Sequence, residues 1–264
     1  MLKKYARLYL LFSARSLQTL MEYKMDFLIG LSGFIVTQAM GIILLNVIFS
    51  KIPMLNGWSY NQALFIYAFA QIPRGLDHLV TDNLWIFSRR IIAQSQFDKY
   101  LLKPINPLFH VISEKLQTDA VGELLIGIIL MIYSIFKLKL NITLSYILIF
   151  IIVTISGAII YTSIKLFFAS LAFWVRNSQN ILSLFYSLSD FTKYPISIYP
   201  RVIMYFITYI VPFAFTAYFP AAYFINKESL LLGVGGTVVA AILTATLAYF
   251  IWCKGINAYE SAGN

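Results

Sequence analysis

Residues 140–164 read LNITLSYILIFIIVTISGAIIYTSI, and residues 27–50 read FLIGLSGFIVTQAMGIILLNVIFS; neither run contains Asp, Glu, Lys or Arg. A helix needs about 20 apolar residues to cross a hydrocarbon core of about 30 Å, and both runs are longer than that. An unpaired backbone group in lipid costs several kcal/mol, so a run of this length must satisfy its own backbone as a helix. A membrane barrel would show segments of about ten residues with alternating polarity, and these runs do not alternate. The whole chain agrees, with 60% hydrophobic and 12% charged residues among its 264, against about 45–50% and about 25% in soluble domains. The fold class expected is all-α: one polytopic membrane domain over residues 1–264, with six transmembrane helices, set in a lipid bilayer.

Outward from these runs, the first span is expected over residues 26–50, with Gly30, Gly33 and Gly41 as small-residue surface for close helix packing. Before it, residues 1–24 pattern as a helix lying in the headgroup plane. Lys4, Arg7, Arg15, Gln18 and Glu22 share one face, and Leu2, Tyr5, Tyr9, Phe12, Leu17 and Leu20 cover much of the rest. Acidic Glu22 and Asp26 precede the first long apolar run, and no small-x-small site closes a short apolar core, so a retained first span is expected rather than a cleaved signal. The second span is expected over 61–85, interrupted at Pro73, Arg74, Gly75 and Asp77. A polar, basic loop follows over 87–117, in which Pro104 and Pro107 break any helix. The third span is expected over 118–136. The fourth block, 142–174, exceeds one crossing and so tilts or projects.

Residues 179–226 are punctuated by Pro195, Pro200, Pro212 and Pro220 and are dense in Phe and Tyr. One straight helix cannot hold four prolines at these spacings. A fifth span to about Tyr194 is expected, then two short helices broken near Pro212 that dip into the outer leaflet and return. Such an element survives at membrane depth only against protein or a wet cavity. The four prolines are the candidate outer gate. The last span is expected over 230–252, with Gly236, Ala240 and Thr244 as a small-residue ridge.

Charge sets the orientation. With the N-terminus inside, the inner segments carry about twelve Lys and Arg and the outer ones about six. Both termini are therefore expected in the cytoplasm, in a multi-pass protein of a bacterial cell membrane. The same rule accounts for the net charge of +9, so no nucleic-acid partner is expected. Cys253 is the single cysteine, and His78 and His110 have no Cys/His cluster beside them, so no metal, cofactor or disulfide is expected.

No catalytic set is legible. Gly30-Leu31-Ser32-Gly33 has the GxSG form of an intramembrane serine protease but reads better as helix-packing glycine. The glycines at 233–236 have no following Lys and no preceding strand, so they form no phosphate loop. Any ATP that powers the chain must be bound by another polypeptide. The polar residues within spans are Arg74, Asp77, Glu123 and Lys165, with Asp82 nearer the cytoplasmic end. Arg74 and Asp77 stand at i, i+3 and can pair. Buried ion pairs that lock the helices are one meaning; a proton or ion relay, as in a secondary carrier, is the alternative.

Two motifs carry a family resemblance. Phe97-Asp98-Lys99-Tyr100-Leu101-Leu102-Lys103-Pro104-Ile105-Asn106-Pro107-Leu108 is similar to a loop stretch, and Tyr259-Glu260-Ser261-Ala262-Gly263 to a C-terminal motif, of permease subunits of type-2 ABC exporters. The resemblance is to the bacterial six-span branch paired with daunorubicin-resistance-like ATPases, and the broken aromatic segment before the last span matches its re-entrant outer helices. Gln96 departs from the family's frequent glycine. The resemblance implies a non-enzymatic permease that moves cargo out of the cytoplasm, a soluble ABC ATPase partner and a second permease subunit, identical or paralogous. It also implies that Arg89, Arg90, Phe97, Asp98, Lys99, Tyr100, Leu101, Leu102, Lys103 and Pro104 form the segment coupled to the ATPase.

Overall fold

A computed structural model describes residues 2–260. The described chain is helical throughout and contains no strand. Helix α1 (Leu2–Glu22) leads into α2 (Lys24–Lys51) and α3 (Tyr60–Thr81). The short helices α4 (Asn83–Ile86), α5 (Asp98–Leu101) and α6 (Pro107–Ser113) follow. Next come α7 (Val121–Leu138), extended backward by a 3-10 turn from Thr118, then α8 (Leu144–Ser170) and α9 (Ala172–Val175). The chain closes with α10 (Gln179–Ser187), α11 (Arg201–Tyr205), α12 (Tyr218–Phe224) and α13 (Thr237–Ala258). Four stretches are long and apolar enough to cross a membrane: Lys24–Lys51, Thr118–Leu138, Leu144–Val175 and Leu231–Ala258.

Helix α3 is the hub. It starts where Gln62 Oε1 accepts from the Ser59 N–H at 3.1 Å, the return half of an N-terminal capping arrangement. It packs between α7 and α8 and is buried from Ala63 to Pro73. The expected interruption at Pro73 is not there: α3 runs through it to Thr81. A proline inside a helix forfeits one backbone bond and crowds the preceding turn, but here its ring fills a contact. A Cβ built on Gly157 of α8 would lie 3.0 Å from Pro73 Cβ, so glycine lets α8 close on the proline. Helix α8 in turn carries α13, whose inner stripe is Thr237, Ala240, Ala241, Ala248, Trp252 and Gly255. Of the expected ridge of Gly236, Ala240 and Thr244, Ala240 lies on that stripe, while Gly236 and Thr244 are partly exposed. At Gly255 a Cβ would lie 2.2 Å from the Phe173 ring; only glycine fits.

The segment 178–197 is not one long helix. Nine residues of α10 continue as a 3-10 stretch, Leu188–Lys193. It nevertheless runs the length of α3: at one end Ser178 N donates to Ser88 O at 2.9 Å, and at the other Trp58 Nε1 donates to Ser197 Oγ at 3.1 Å. The prolines then set every restart. Pro195, Pro200 and Pro212 each immediately precede a short helix, and Pro220 sits in the first turn of α12, the positions where a missing N–H is free of consequence. Helical structure stops at Ile210 and resumes at Phe213, with Val211 and Pro212 between. Phe213 touches Tyr161 and Tyr186 at centroid distances of 5.3 and 6.1 Å, and Tyr218, the first residue of α12, meets Trp58.

Candidate functional site

At the end of the bundle where α3 stops, residues 87–116 and α1 meet. The chain leaves α4 through a π-type turn, Phe87–Ile91, which exposes Arg89 and Arg90. A left-handed residue reverses it, and that residue is Ser95 (φ 53°) rather than the Gln96 that departs from the family pattern. Asn106 then caps α6, its side chain accepting from Phe109 N at 3.1 Å, with Pro107 at the first helical position.

This geometry divides the expected coupling residues in two. Phe97 is fully buried among Phe87, Phe173, Trp252 and Tyr259 at centroid distances of 5.2–6.0 Å. Tyr100 is buried against His110 at 4.6 Å, and its hydroxyl bonds to Glu114. Both are anchors and offer no surface to a partner. Arg89, Arg90, Lys99, Leu101, Leu102, Lys103 and Pro104 are exposed, Leu102 at 85%, and Asp98 is half-buried. Burial, then the Glu114 carboxylate, pushes the Tyr100 phenol well above its ordinary value. Burial and the neighbouring Asp98 push Tyr259 up to about 12. Of the C-terminal motif, Tyr259 packs here, while Ser261, Ala262 and Gly263 lie outside the described residues.

Helix α1 is fastened to the same end. Lys4 Nζ donates to Pro104 O at 3.2 Å, Asn106 N donates to the Tyr5 hydroxyl at 3.2 Å, and Leu116 N donates to Ser16 Oγ at 3.2 Å. On the less polar side of α1, Tyr5 meets Phe109 edge to face and Phe12 stacks on His110, both of α6. The exposed apolar residues are Leu10, Leu11, Leu17 and Met21.

The polar residues within the spans form one ladder. Lys165 is wholly buried and donates to Asp77 Oδ2 and Asp82 Oδ1, both at 2.8 Å. Asp77 also accepts from Thr81 Oγ1 (2.6 Å), Thr162 Oγ1 (2.9 Å) and the Tyr186 hydroxyl (2.7 Å). Tyr186 in turn meets His78 Nε2 at 2.9 Å, and His78 Nδ1 faces Glu123 Oε2 at 2.8 Å. Arg74 reaches Glu123 at 3.7 Å and Asp190 at 2.6 Å, and Lys193 meets Asp190 at 2.8 Å. The expected Arg74–Asp77 pair is not formed. One turn of α3 points Arg74 toward α7 and Asp77 toward α8, and each finds a partner across the interface. The ladder ties α3, α7, α8 and the 179–193 segment together. His78, Tyr186 and Asp190 complete it without having stood among the expected polar set. His78, four residues after Arg74 on the same helix, carried a sequence signal; Tyr186, one aromatic among many, carried none.

The structure gives none of the four candidate gate prolines a polar side-chain partner in the ladder, although Phe213, next to Pro212, touches Tyr186. A cavity of about 500 Å³ opens between Phe65, Met131, Tyr146, Phe150 and Phe224, and none of the four prolines lines it. Among the described residues, no group of three or more His, Cys, Asp or Glu is placed to hold a metal ion.

Compared with known families, residues 35–263 match the model of a family described as ABC-2 family transporter protein. No curated protein matches the chain.

Proposed function

Because the chain belongs to the ABC-2 transporter family, whose members are transmembrane permeases of ABC transporters and not themselves catalytic, we propose that it is the membrane half of an ATP-driven exporter. A soluble ABC ATPase, of the daunorubicin-resistance-like kind, grips the exposed side of residues 89–104. A second permease subunit, identical or paralogous, stands beside it. Cargo of amphipathic character leaves the cytoplasm between the two, past the broken segment marked by Pro195, Pro200, Pro212 and Pro220. The six crossings are α2, α3, α7, α8, the 178–197 segment and α13, with both termini in the cytoplasm of a cell membrane.

The observation that carries this reading is the split in the coupling loop. Phe97 and Tyr100 root it in the aromatic cluster, while Leu101, Leu102 and Lys103 stand out in solvent. An apolar residue exposed on a rooted loop, ringed by cations, suits a docking knob. A push on it passes through Phe97 to Phe173 and Trp252, and so to the ends of α9 and α13. Rigid-body motion of packed helices is how such a push becomes transport.

The test is co-purification with the ATPase and measurement of its hydrolysis in the complex. Leu102→Asp is expected to abolish permease-dependent ATPase stimulation and leave the thermal midpoint of the permease unchanged. Undiminished stimulation by this variant would remove the docking role. The secondary-carrier alternative needs charges that exchange with solvent. Asp77 and Lys165 are instead buried and neutralised within the chain, which supports a lock. Solute movement by the purified chain alone down a proton gradient would reverse that judgement.

A further inference from the structure

Between α1 and residues 83–119 lies a cavity of about 720 Å³, within the ordinary range of about 300–1,000 Å³ for small-molecule sites. Five cations stand on its wall: Arg15, Arg90, Lys99, Lys103 and Lys115. Three carboxylates share it, Asp26, Glu114 and Asp119. Glu114 is already engaged by Tyr100 and by Lys99 at 3.8 Å. Among the described residues, Arg15, Arg90 and Lys115 have no carboxylate within ion-pair distance.

His110 packs beside the cations, against Phe12 and Tyr100. It lines the cavity and is 1% exposed. Its Nε2 lies 3.4 Å from Lys103 Nζ, and an ammonium can only donate, so Nε2 is the acceptor and Nδ1 carries the hydrogen. Among the described residues that Nδ1 has no partner. A buried donor without an acceptor costs about 1–3 kcal/mol. What the cavity lacks is an oxygen-rich anion, with acceptors for its three unpaired cations.

We propose that this cavity binds a phosphate-bearing anion, supplied by the headgroup of an anionic phospholipid. Phosphate oxygens are acceptors only and take charge-assisted bonds from several cations at once. The exposed Leu10, Leu11, Leu17 and Met21 put α1 against acyl chains, so the cavity beneath it stands at headgroup height. This placement rests on the proposed orientation, with α1 on the cytoplasmic leaflet, where anionic lipids gather basic segments. A lipid held there would bridge α1 to the proposed coupling loop through its phosphate.

The test uses the full chain in neutral detergent, without any ATPase, and native mass spectrometry with three probes. These are phosphatidylglycerol, a phosphate-free glycosyl diacylglycerol, and glycerol 1-phosphate. Phosphatidylglycerol is expected to stay bound and the glycolipid to leave. Arg15→Gln and Lys115→Gln are each expected to weaken phosphatidylglycerol binding about tenfold, while Lys254→Gln, at an exposed site elsewhere, leaves it unchanged. Competition by glycerol 1-phosphate at the same site would show that free phosphates are read as well; its failure to compete would assign the site to the lipid. Equal retention of the glycolipid, or full binding by the Arg15→Gln, Lys115→Gln double variant, overturns the proposal. Neither variant touches the docking residues, so lost lipid binding with intact ATPase stimulation separates this inference from the transport reading.

Discussion

Replacing Lys165 by Met takes the ammonium from between two carboxylates and leaves a side chain of similar length in its place. Lys165 has no exposed surface and sits 2.8 Å from both Asp77 and Asp82. Breaking a buried ion pair by removing one partner costs about 3–5 kcal/mol, because the remaining charge stays buried and uncompensated. Here Asp77 keeps three hydroxyl donors, from Thr81, Thr162 and Tyr186, and Asp82 is partly exposed and keeps some water. These offsets place the loss near the lower end, about 3 kcal/mol. A chain of this size moves its midpoint by about 2–4 °C per kcal/mol, so a fall of about 6–12 °C is expected. Tryptophan fluorescence on heating, in detergent at pH 7, reads it. Adding Asp77→Asn removes one of the stranded charges, so the double variant should lose less than the sum of the two single losses. A midpoint for Lys165→Met within about 2 °C of the parent would refute the reasoning, as would losses that simply add.

Two other perturbations separate anchor from knob and titrate the loop. Phe97→Ala empties a fully buried ring site and is expected to cost about 3–5 kcal/mol, read as a large fall in midpoint; a small effect there would mean that the loop is not rooted as described. For His110, burial first and the Lys103 cation second hold the imidazole below its ordinary value. The folded chain therefore declines a proton that the unfolded chain accepts below about pH 6.5. Stability is complete above that pH and falls as the pH drops toward the folded value. Midpoints measured between pH 7.5 and 5 should decline, and His110→Gln should flatten the decline; an equal decline in the variant would clear His110 of the effect.

How far the sequence could be read depended on whether a feature was local. The uncharged run at 140–164 had to be a helix whatever surrounded it, and α8 is that helix. The prolines at 195, 200 and 212 marked restarts because a missing N–H acts on its own turn. Pro73 misled for the same reason: its local effect was weighed, but its contact with Gly157 belongs to another helix. The polar ladder shows the limit most clearly. Arg74 and Asp77 were legible as buried charges, yet their partners Asp190 and Lys165 stand 116 and 88 positions away, and only the packing of α3 between α7 and α8 brings them in. The 97–108 loop was legible as a motif, but not its division into buried Phe97 and exposed Leu102, since Phe173 and Trp252 arrive from distant helices.

These distant contacts bear on how force would travel under the proposed mechanism. The loop end is held by ring contacts among Phe87, Phe97, Phe173 and Trp252, and the next level by Lys165 between two carboxylates. Interfaces of that density shift between discrete arrangements rather than bend. At the opposite end the segment's core is buried around Phe213, but the loops that flank it are tied by lighter contacts: Asn56 to Ser197 O at 2.9 Å, Lys227 to Gly57 O at 2.5 Å, and Lys227 over the Trp58 ring at 4.2 Å. Surface contacts of that kind are worth about 1 kcal/mol or less each. A displacement delivered at Leu102 would therefore carry α3, α8 and α13 as one body, and would be taken up where prolines already interrupt the backbone. On this account loosening the ladder uncouples the two ends, so Lys165→Met should lower transport per ATP hydrolysed more than it lowers hydrolysis itself. Equal loss of both, measured in the same proteoliposomes, would place the yielding point at the loop instead.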